Sequence, residues 1–187
     1  RSQVSKATPS QKRVTPAYIG LGSNLHEPIQ QLRAALHAIG LLPQSRVTRV
    51  SSVYRSAAVG PGEQPDYLNA ALCLETELEP TALLAALQRI EQAQGRVRKI
   101  RWGARSLDLD ILLFGNLQID TPALTIPHPR LQQRNFVLYP LAEIDGPNRV
   151  LPDGEDLGTL IARCPRGDLV KTRLRLTSNT SVPRDMA

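Results

Sequence analysis

The sequence predicts an α+β fold: a ferredoxin-like βαββαβ sandwich with one antiparallel sheet, helices packed on one side and a C-terminal extension. Three observations carry that expectation. Apolar segments of strand length alternate with two segments of helical apolar spacing, in the order strand, helix, strand, strand, helix, strand. Glycine and proline punctuate the joins, most densely at Gly60-Pro61-Gly62. The 187 residues, 41% of them hydrophobic, suit one domain with a substantial core. That domain is expected over residues 16–176, between polar tails at 1–15 and 177–187 that read as disordered.

Ala17 to Leu21 reads as the first strand, leaving through the turn-rich Gly20-Leu21-Gly22-Ser23-Asn24. Pro28 opens a helix whose Ile29, Leu32, Leu36 and Ile39 share a face, and Gly40 is placed to close it. Val47 to Tyr54 is a second strand, Ser56 to Pro65 a loop, and Tyr67 to Leu78 a long third strand with Tyr67, Asn69 and Ala71 on one face. A second helix begins near Pro80-Thr81, presents Leu83, Leu84, Leu87 and Ile90, and runs toward Gly95. A basic loop then leads into the apolar fourth strand around Leu107 to Leu113. Beyond the turn at Gly115-Asn116, Leu117 to Ile119 is a short strand, and Ile126-Pro127-His128-Pro129 leads into a helix around Leu131 to Leu138.

The net charge of +6, dominated by arginine, points to anionic partners such as nucleotide phosphates or nucleic acid. An aromatic content of 4% counts against a single-strand nucleic-acid platform, which needs several rings on neighbouring strands. Cys73 and Cys164 lie far apart with no metal-ligand spacing and read as free thiols of a reducing cytosol. No run approaches the roughly 18 apolar residues of a membrane span, so the expectation is a soluble, cytoplasmic protein without a membrane partner.

The most informative stretch is Leu107-Asp108-Leu109-Asp110-Ile111. On a strand, Asp108 and Asp110 share a face while Leu107, Leu109 and Ile111 fill the other. Two carboxylates at that range repel, so a cation must sit with them or one must hold a proton; hard oxygen ligands suit magnesium carrying a phosphate chain. Arg89, Arg96, Arg98, Lys99, Arg101 and Arg105 precede them, opposed by Glu91. An Asp-x-Asp pair alone is commonly a solvated strand edge; the apolar flanks argue for burial, where charges need partners. Gly20-Leu21-Gly22 lacks the third glycine of a dinucleotide fingerprint and the lysine of a P-loop, and reads as a strand-ending turn.

Three stretches together resemble the 6-hydroxymethyl-7,8-dihydropterin pyrophosphokinases of folate biosynthesis. They are Tyr18-Ile19-Gly20-Leu21-Gly22-Ser23-Asn24-Leu25; Ser51-Ser52-Val53-Tyr54-Arg55 through Gln64-Pro65-Asp66-Tyr67-Leu68-Asn69-Ala70; and Arg96-Val97-Arg98, Trp102-Gly103-Ala104-Arg105 and Leu107-Asp108-Leu109-Asp110 followed by Pro127-His128 and Arg134-Asn135-Phe136. The resemblance spans roughly Ala17 to Gly154. It implies transfer of pyrophosphate from ATP to the pterin hydroxymethyl group with release of AMP and the use of two Mg2+ ions. Asp108 and Asp110 would hold the metals, and Arg96 and Arg105 would reach the triphosphate from a loop. Gln88, Arg98, Trp102, His128 and Arg134, with backbone at Ile111 and Thr125, would bind ATP. Tyr67 and Phe136 would sandwich the pterin, Asn69 would read its edge, and Ser56, Ala57 and Val59 would complete the pocket.

The resemblance also implies a monomer that binds no nucleic acid. Against the common family pattern, Pro129 stands where tyrosine is frequent, Ala123 where a basic residue often helps bind ATP, and Ala57 where proline is frequent; the loop from Gly95 to Arg105 is one residue shorter than in some members. Two other readings stay open on the residues alone: a basic RNA-binding module on a ferredoxin-like sheet, and a metal-dependent kinase or nucleotidyl transferase with another acceptor. The first is opposed by the acidic pair, the second by the combination of Tyr67, Asn69 and Phe136.

Overall fold

The computed structural model describes residues 12–25, 27–57, 65–95 and 107–177. Strands β1 (Thr15–Ser23) and β4 (Tyr67–Thr76) pair antiparallel along their length, with Thr15 opposite Thr76 and Ser23 opposite Leu68. β5 (Asp108–Phe114) flanks β1. On the far edge of β4 lie β2 (Ser45–Val50) and β3 (Tyr54–Ser56), and β8 (Val170–Lys171) extends the sheet outward from β3. The resulting order, β5-β1-β4-β3-β8 with β2 also on β4, is the ferredoxin-like arrangement with one added edge strand.

Helices α1 (Pro28–Gly40) and α2 (Pro80–Gly95) cover one face. Their apolar stripes, Leu32, Ala35 and Ile39 with Leu83 and Leu87, close a core with Ile19, Leu21, Leu72, Leu74, Leu109 and Ile111. Each large side chain removed from water there contributes roughly 1.5–3 kcal/mol. The other face is covered too. Helices α3 (Asn135–Asp145) and α4 (Leu157–Arg163) set Leu138, Leu141, Leu157 and Leu160 against Tyr18, Cys73, Leu112 and Leu113. The C-terminal extension thus forms a third layer on the side the sequence reading left open.

Several boundaries differ from the sequence reading for local reasons. Gly20 and Gly22 do not leave the first strand; they lie inside it. The predicted strand over 47–54 splits because Ser51 substitutes its hydroxyl for a ladder group: Ala71 N donates to Ser51 Oγ at 2.9 Å, while Ser52 N donates to Glu143 at 3.0 Å. β4 stops at Thr76, whose hydroxyl accepts the Leu78 N–H at 3.0 Å. α1 runs through Gly40 and is capped by Leu41 N–H, so the glycine is not a left-handed cap. The helix expected around 131–138 is a 3-10 turn at Leu131–Gln133, an extended Arg134 and then α3, which ends where Gly146 turns with φ 84°. The short strand expected at 117–119 is β6 (Ile119–Asp120), hairpinned with β7 (Thr125–Ile126). The basic segment after Ile161 is built into the fold through β8, and Leu176 is buried in the helix-side core.

Two polar clasps hold α3 to the sheet. Tyr18 OH donates to Asp145 Oδ1 at 2.8 Å, Arg149 bonds Asp145 Oδ2 at 2.9 Å, and Arg49 bonds the Ile144 carbonyl at 2.7 Å. Burial, with the Asp145 bond, pushes the Tyr18 phenol up to about 12. In the second clasp Glu143 accepts from Ser52 Oγ at 2.7 Å and Tyr54 OH at 3.0 Å, and Lys171 lies 3.2 Å away. Burial pushes the Glu143 carboxyl up, but the bonds from Ser52, Tyr54 and Lys171 together hold it below its ordinary 4.5. A depressed carboxylate stabilises the fold above its unfolded pKa and loses that contribution as pH falls through the folded value. Glu143→Gln is therefore expected to lower the melting temperature at neutral pH and to flatten its decline below pH 4.5. Thermal melts of both proteins across that range check this.

Candidate active site

The period of the strands builds the floor of a cleft of about 490 Å3 at the end of the sheet where α3 begins. Asp110 pairs with Gly20, which pairs with Ala71; Asp108 pairs with Gly22, which pairs with Asn69. Each rung therefore carries a carboxylate, a glycine and a β4 residue on one face. The glycines keep the middle strand bare: a Cβ on Gly22 would lie 2.7 Å from Asn69 Oδ1, and one on Gly20 would lie 3.2 Å from Leu112 Cδ2. Gly-x-Gly is a trough in a strand, and the sequence signal read as a turn was close approach of neighbouring side chains.

Strand β5 aims the acids. Leu109 and Ile111 pack on the helix side while Asp108 and Asp110 line the cleft, half-buried, as their alternation predicts. The register then shifts: Ile19 opposes Ile111 and Tyr18 opposes Leu113, so Leu112 is an extra residue, and both leucines face the α3–α4 layer. This bulge closes the inner end of the cleft with Leu112. Between the two acids, Leu109 N–H donates to Glu91 Oε2 of α2 at 3.3 Å, which gives Glu91 a role in holding β5.

The walls carry rings and polar groups. Tyr67, Phe136, Ser56 and Ala57 line the cleft with Arg134, whose guanidinium sits 5.5 Å over the Phe136 ring. His128 is half-buried beside this group. Its N–H donates to the Leu112 carbonyl at 3.0 Å and its Nδ1 accepts from Arg130 N at 3.2 Å, which leaves the ring proton on Nε2. Burial, with Arg134 and Arg130, pulls its pKa below 6.5 despite the field of Asp110, a shift that favours the neutral ring.

Of the residues singled out in the sequence, Ser56, Ala57, Tyr67, Asn69, Asp108, Asp110, Arg134 and Phe136 come together in one cleft. Gln88 is exposed on α2, the Ile111 side chain belongs to the helix-side core, and Thr125 lies in β7; none of these lines the cleft. Val59, Arg96, Arg98, Trp102 and Arg105 lie outside the described residues. Gly20, Gly22, Leu112, Asn135 and Asp168 also line the cleft and were not singled out for it. The glycines had a legible signal in their alternate spacing; Asp168, remote in sequence, had none.

Among the described residues no group of three or more His, Cys, Asp or Glu side chains could hold a metal by itself. The Asp108 and Asp110 oxygens fit a different case, a hard divalent ion that brings phosphate oxygens and water as its remaining ligands. The Tyr67 and Phe136 rings in the same cleft offer apolar faces to a bound group. No helix among the described residues is long and apolar enough to cross a membrane.

Comparison with known proteins gives a consistent result. Residues 18–146 match the sequence profile of 7,8-dihydro-6-hydroxymethylpterin-pyrophosphokinase (HPPK). The chain is 53% identical over 148 residues to the 2-amino-4-hydroxy-6-hydroxymethyldihydropteridine pyrophosphokinase of Pseudomonas aeruginosa, covering 79% of this chain and 91% of that protein. It is 50% identical over 155 residues to the enzyme of the same name from Haemophilus influenzae, covering 83% and 96%. In fold it is similar to crystallised Plasmodium falciparum HPPK-DHPS in its wild-type form with STZ-DHP, with a TM-score of 0.64 at 12% identity over 82% of this chain. The chain spans 44% of the length of that protein.

Proposed function

Since the chain belongs to the 7,8-dihydro-6-hydroxymethylpterin-pyrophosphokinase family, we propose that the cleft is where it transfers pyrophosphate from ATP to 6-hydroxymethyl-7,8-dihydropterin. It is a pyrophosphokinase of folate biosynthesis, with AMP and the pterin diphosphate as products. The observation that supports the assignment of the site is the pair of rungs Asp110-Gly20-Ala71 and Asp108-Gly22-Asn69, which sets two carboxylates and an amide on one bare floor beside Tyr67 and Phe136.

In this reading Asp108 and Asp110 hold Mg2+ carried by the triphosphate, two ions in all. Bound there, Mg2+ would supply charge neutralisation at the phosphate oxygens. The residues of the chain do the remaining work by placement and fixed charge. Tyr67 and Phe136 clamp the flat pterin and Asn69 pairs with its edge, with Ser56 and Ala57 completing the slot; Val59 is assigned to the pterin on the pattern of the family. Arg134 meets the triphosphate while its stacking on Phe136 links the two subsites. His128, its Nδ1 taken by Arg130 N, offers its Nε2 proton to a phosphate oxygen. Gln88, Arg98, Trp102 and the backbone at Ile111 and Thr125 are assigned to ATP, and Arg96 and Arg105 to the triphosphate, on the pattern of the family.

Incubating the purified protein with ATP, magnesium and the dihydropterin, and following products by phosphorus NMR, tests the reaction directly. AMP with a pterin diphosphate is the expected result. Formation of ADP would mean transfer of a single phosphoryl group and would overturn the proposal.

A further inference from the structure

The carboxylate of Asp168 lines the cleft although it belongs to the C-terminal segment, and its Oδ2 accepts the N–H of Ala57 at 2.9 Å. Ala57 is the first residue beyond β3 and, with Ser56, makes one wall of the slot. We propose that Asp168 is a positioning residue for the pterin, a latch that fixes this wall at a set distance from the wall bearing Phe136. The inference rests on the reading that the cleft takes the dihydropterin.

The segment carrying Asp168 is anchored to both walls. At its start, Asn135 Nδ2, one residue before Phe136, donates to the Pro165 carbonyl at 3.2 Å and the Arg166 carbonyl at 2.9 Å. At its end, Val170 pairs with Arg55 and Lys171 with Tyr54, and Thr172 donates through N and Oγ1 to the Val53 carbonyl at 2.9 and 2.7 Å. Between these ends Gly167 turns with φ 57°, Arg166 Nε donates to the Leu169 carbonyl at 3.0 Å, and the Leu169 side chain is buried. Asp168 therefore projects from a short frame whose two ends are held by the two sides of the slot. Its bond to Ala57 joins the frame to the residue that follows β3. A flat heterocycle is bound by the spacing of its walls, so a wall released by a few tenths of an ångström loses contact with the ring without altering the Asp108–Asp110 floor.

The test is a double-mutant cycle on the full chain, with dihydropterin and ATP affinities measured separately by calorimetry and folding followed by thermal melts. Asp168→Ala is expected to weaken dihydropterin roughly fivefold, the weight of one hydrogen bond, with ATP affinity unchanged. Asp168→Asn keeps an accepting oxygen and is expected to stay within about twofold of the parent protein. Ala57→Pro removes the donor at a position preceded by extended Ser56, which tolerates a following proline. Asp168→Ala added to Ala57→Pro should then cost nothing further. If Ala57→Pro does not fold, the Ala and Asn variants at 168 decide. Parent-level dihydropterin binding by Asp168→Ala, an equal loss of ATP affinity, or an Asn variant as weak as the Ala variant would each overturn the latch. Failure of the unmutated protein to bind dihydropterin would instead overturn the reading on which the latch rests, and the latch with it.

Discussion

Asp110→Ala is expected to lower turnover by about a thousandfold or more, which corresponds to about 4 kcal/mol of lost transition-state stabilisation. The residue contributes one of the two carboxylates on the cleft floor, and no third His, Cys, Asp or Glu among the described residues completes a metal group with them. With no third carboxylate among the described residues grouped with this pair, the loss should not be recovered by raising magnesium. Folding should survive. Asp110 is half-buried on β5, opposite a glycine, and its removal relieves repulsion from Asp108 and leaves no filled core position empty. The melting temperature is expected to stay within a few degrees or to rise. Asp110→Asn should fall between the two, because an amide oxygen still binds a hard cation but without the charge. Steady-state rates against magnesium, beside thermal melts, check all three proteins. Turnover near the parent value at saturating magnesium would remove Asp110 from the metal site.

What could be read from the sequence divides by the range of the interaction that decides it. The Asp108–Asp110 face, the α1 and α2 stripes and the alternation of Tyr67, Asn69 and Ala71 follow from strand and helix periods, and the structure reproduces them because period is local. The break between β2 and β3 was not legible, because it depends on Glu143, which is 91 residues from Ser52. The same holds for Asp168, 111 residues from Ala57. The bulge at Leu112 left no trace in an unbroken apolar run, where two adjacent leucines on one face look like ordinary alternation. The sheet order was recoverable from element order. The covering of its second face was not, since α3 and α4 lie beyond the pattern that gave the fold. The glycines of β1 are a different kind of miss. Glycine marks both a turn and a close approach, and only the neighbouring strands decide which.

That ambiguity yields the second large effect. Gly22→Ala should raise the KM for dihydropterin by roughly tenfold or more and cost about 1–3 kcal/mol of stability, the range for overpacking a filled site. Its Cβ would stand 2.7 Å from Asn69 Oδ1, and the Asn69 side chain, buried on the cleft floor, must leave its place for the methyl to fit. The amide assigned to the pterin edge is the group displaced. Gly20→Ala meets the Leu112 side chain, 3.2 Å away at Cδ2, and a leucine that gives by a few tenths of an ångström yields more easily than an amide at 2.7 Å. It should cost about 1 kcal/mol or less. Stability and binding separate in Gly22→Ala combined with Asn69→Ala: removing the obstructing amide should restore much of the lost melting temperature while dihydropterin binding stays weak. Melts and calorimetric titrations of the three variants decide the matter. Equal losses in the Gly20 and Gly22 variants would show that strand glycines matter here for backbone reasons, and the trough between Asp108 and Asn69 would lose its role in shaping the slot.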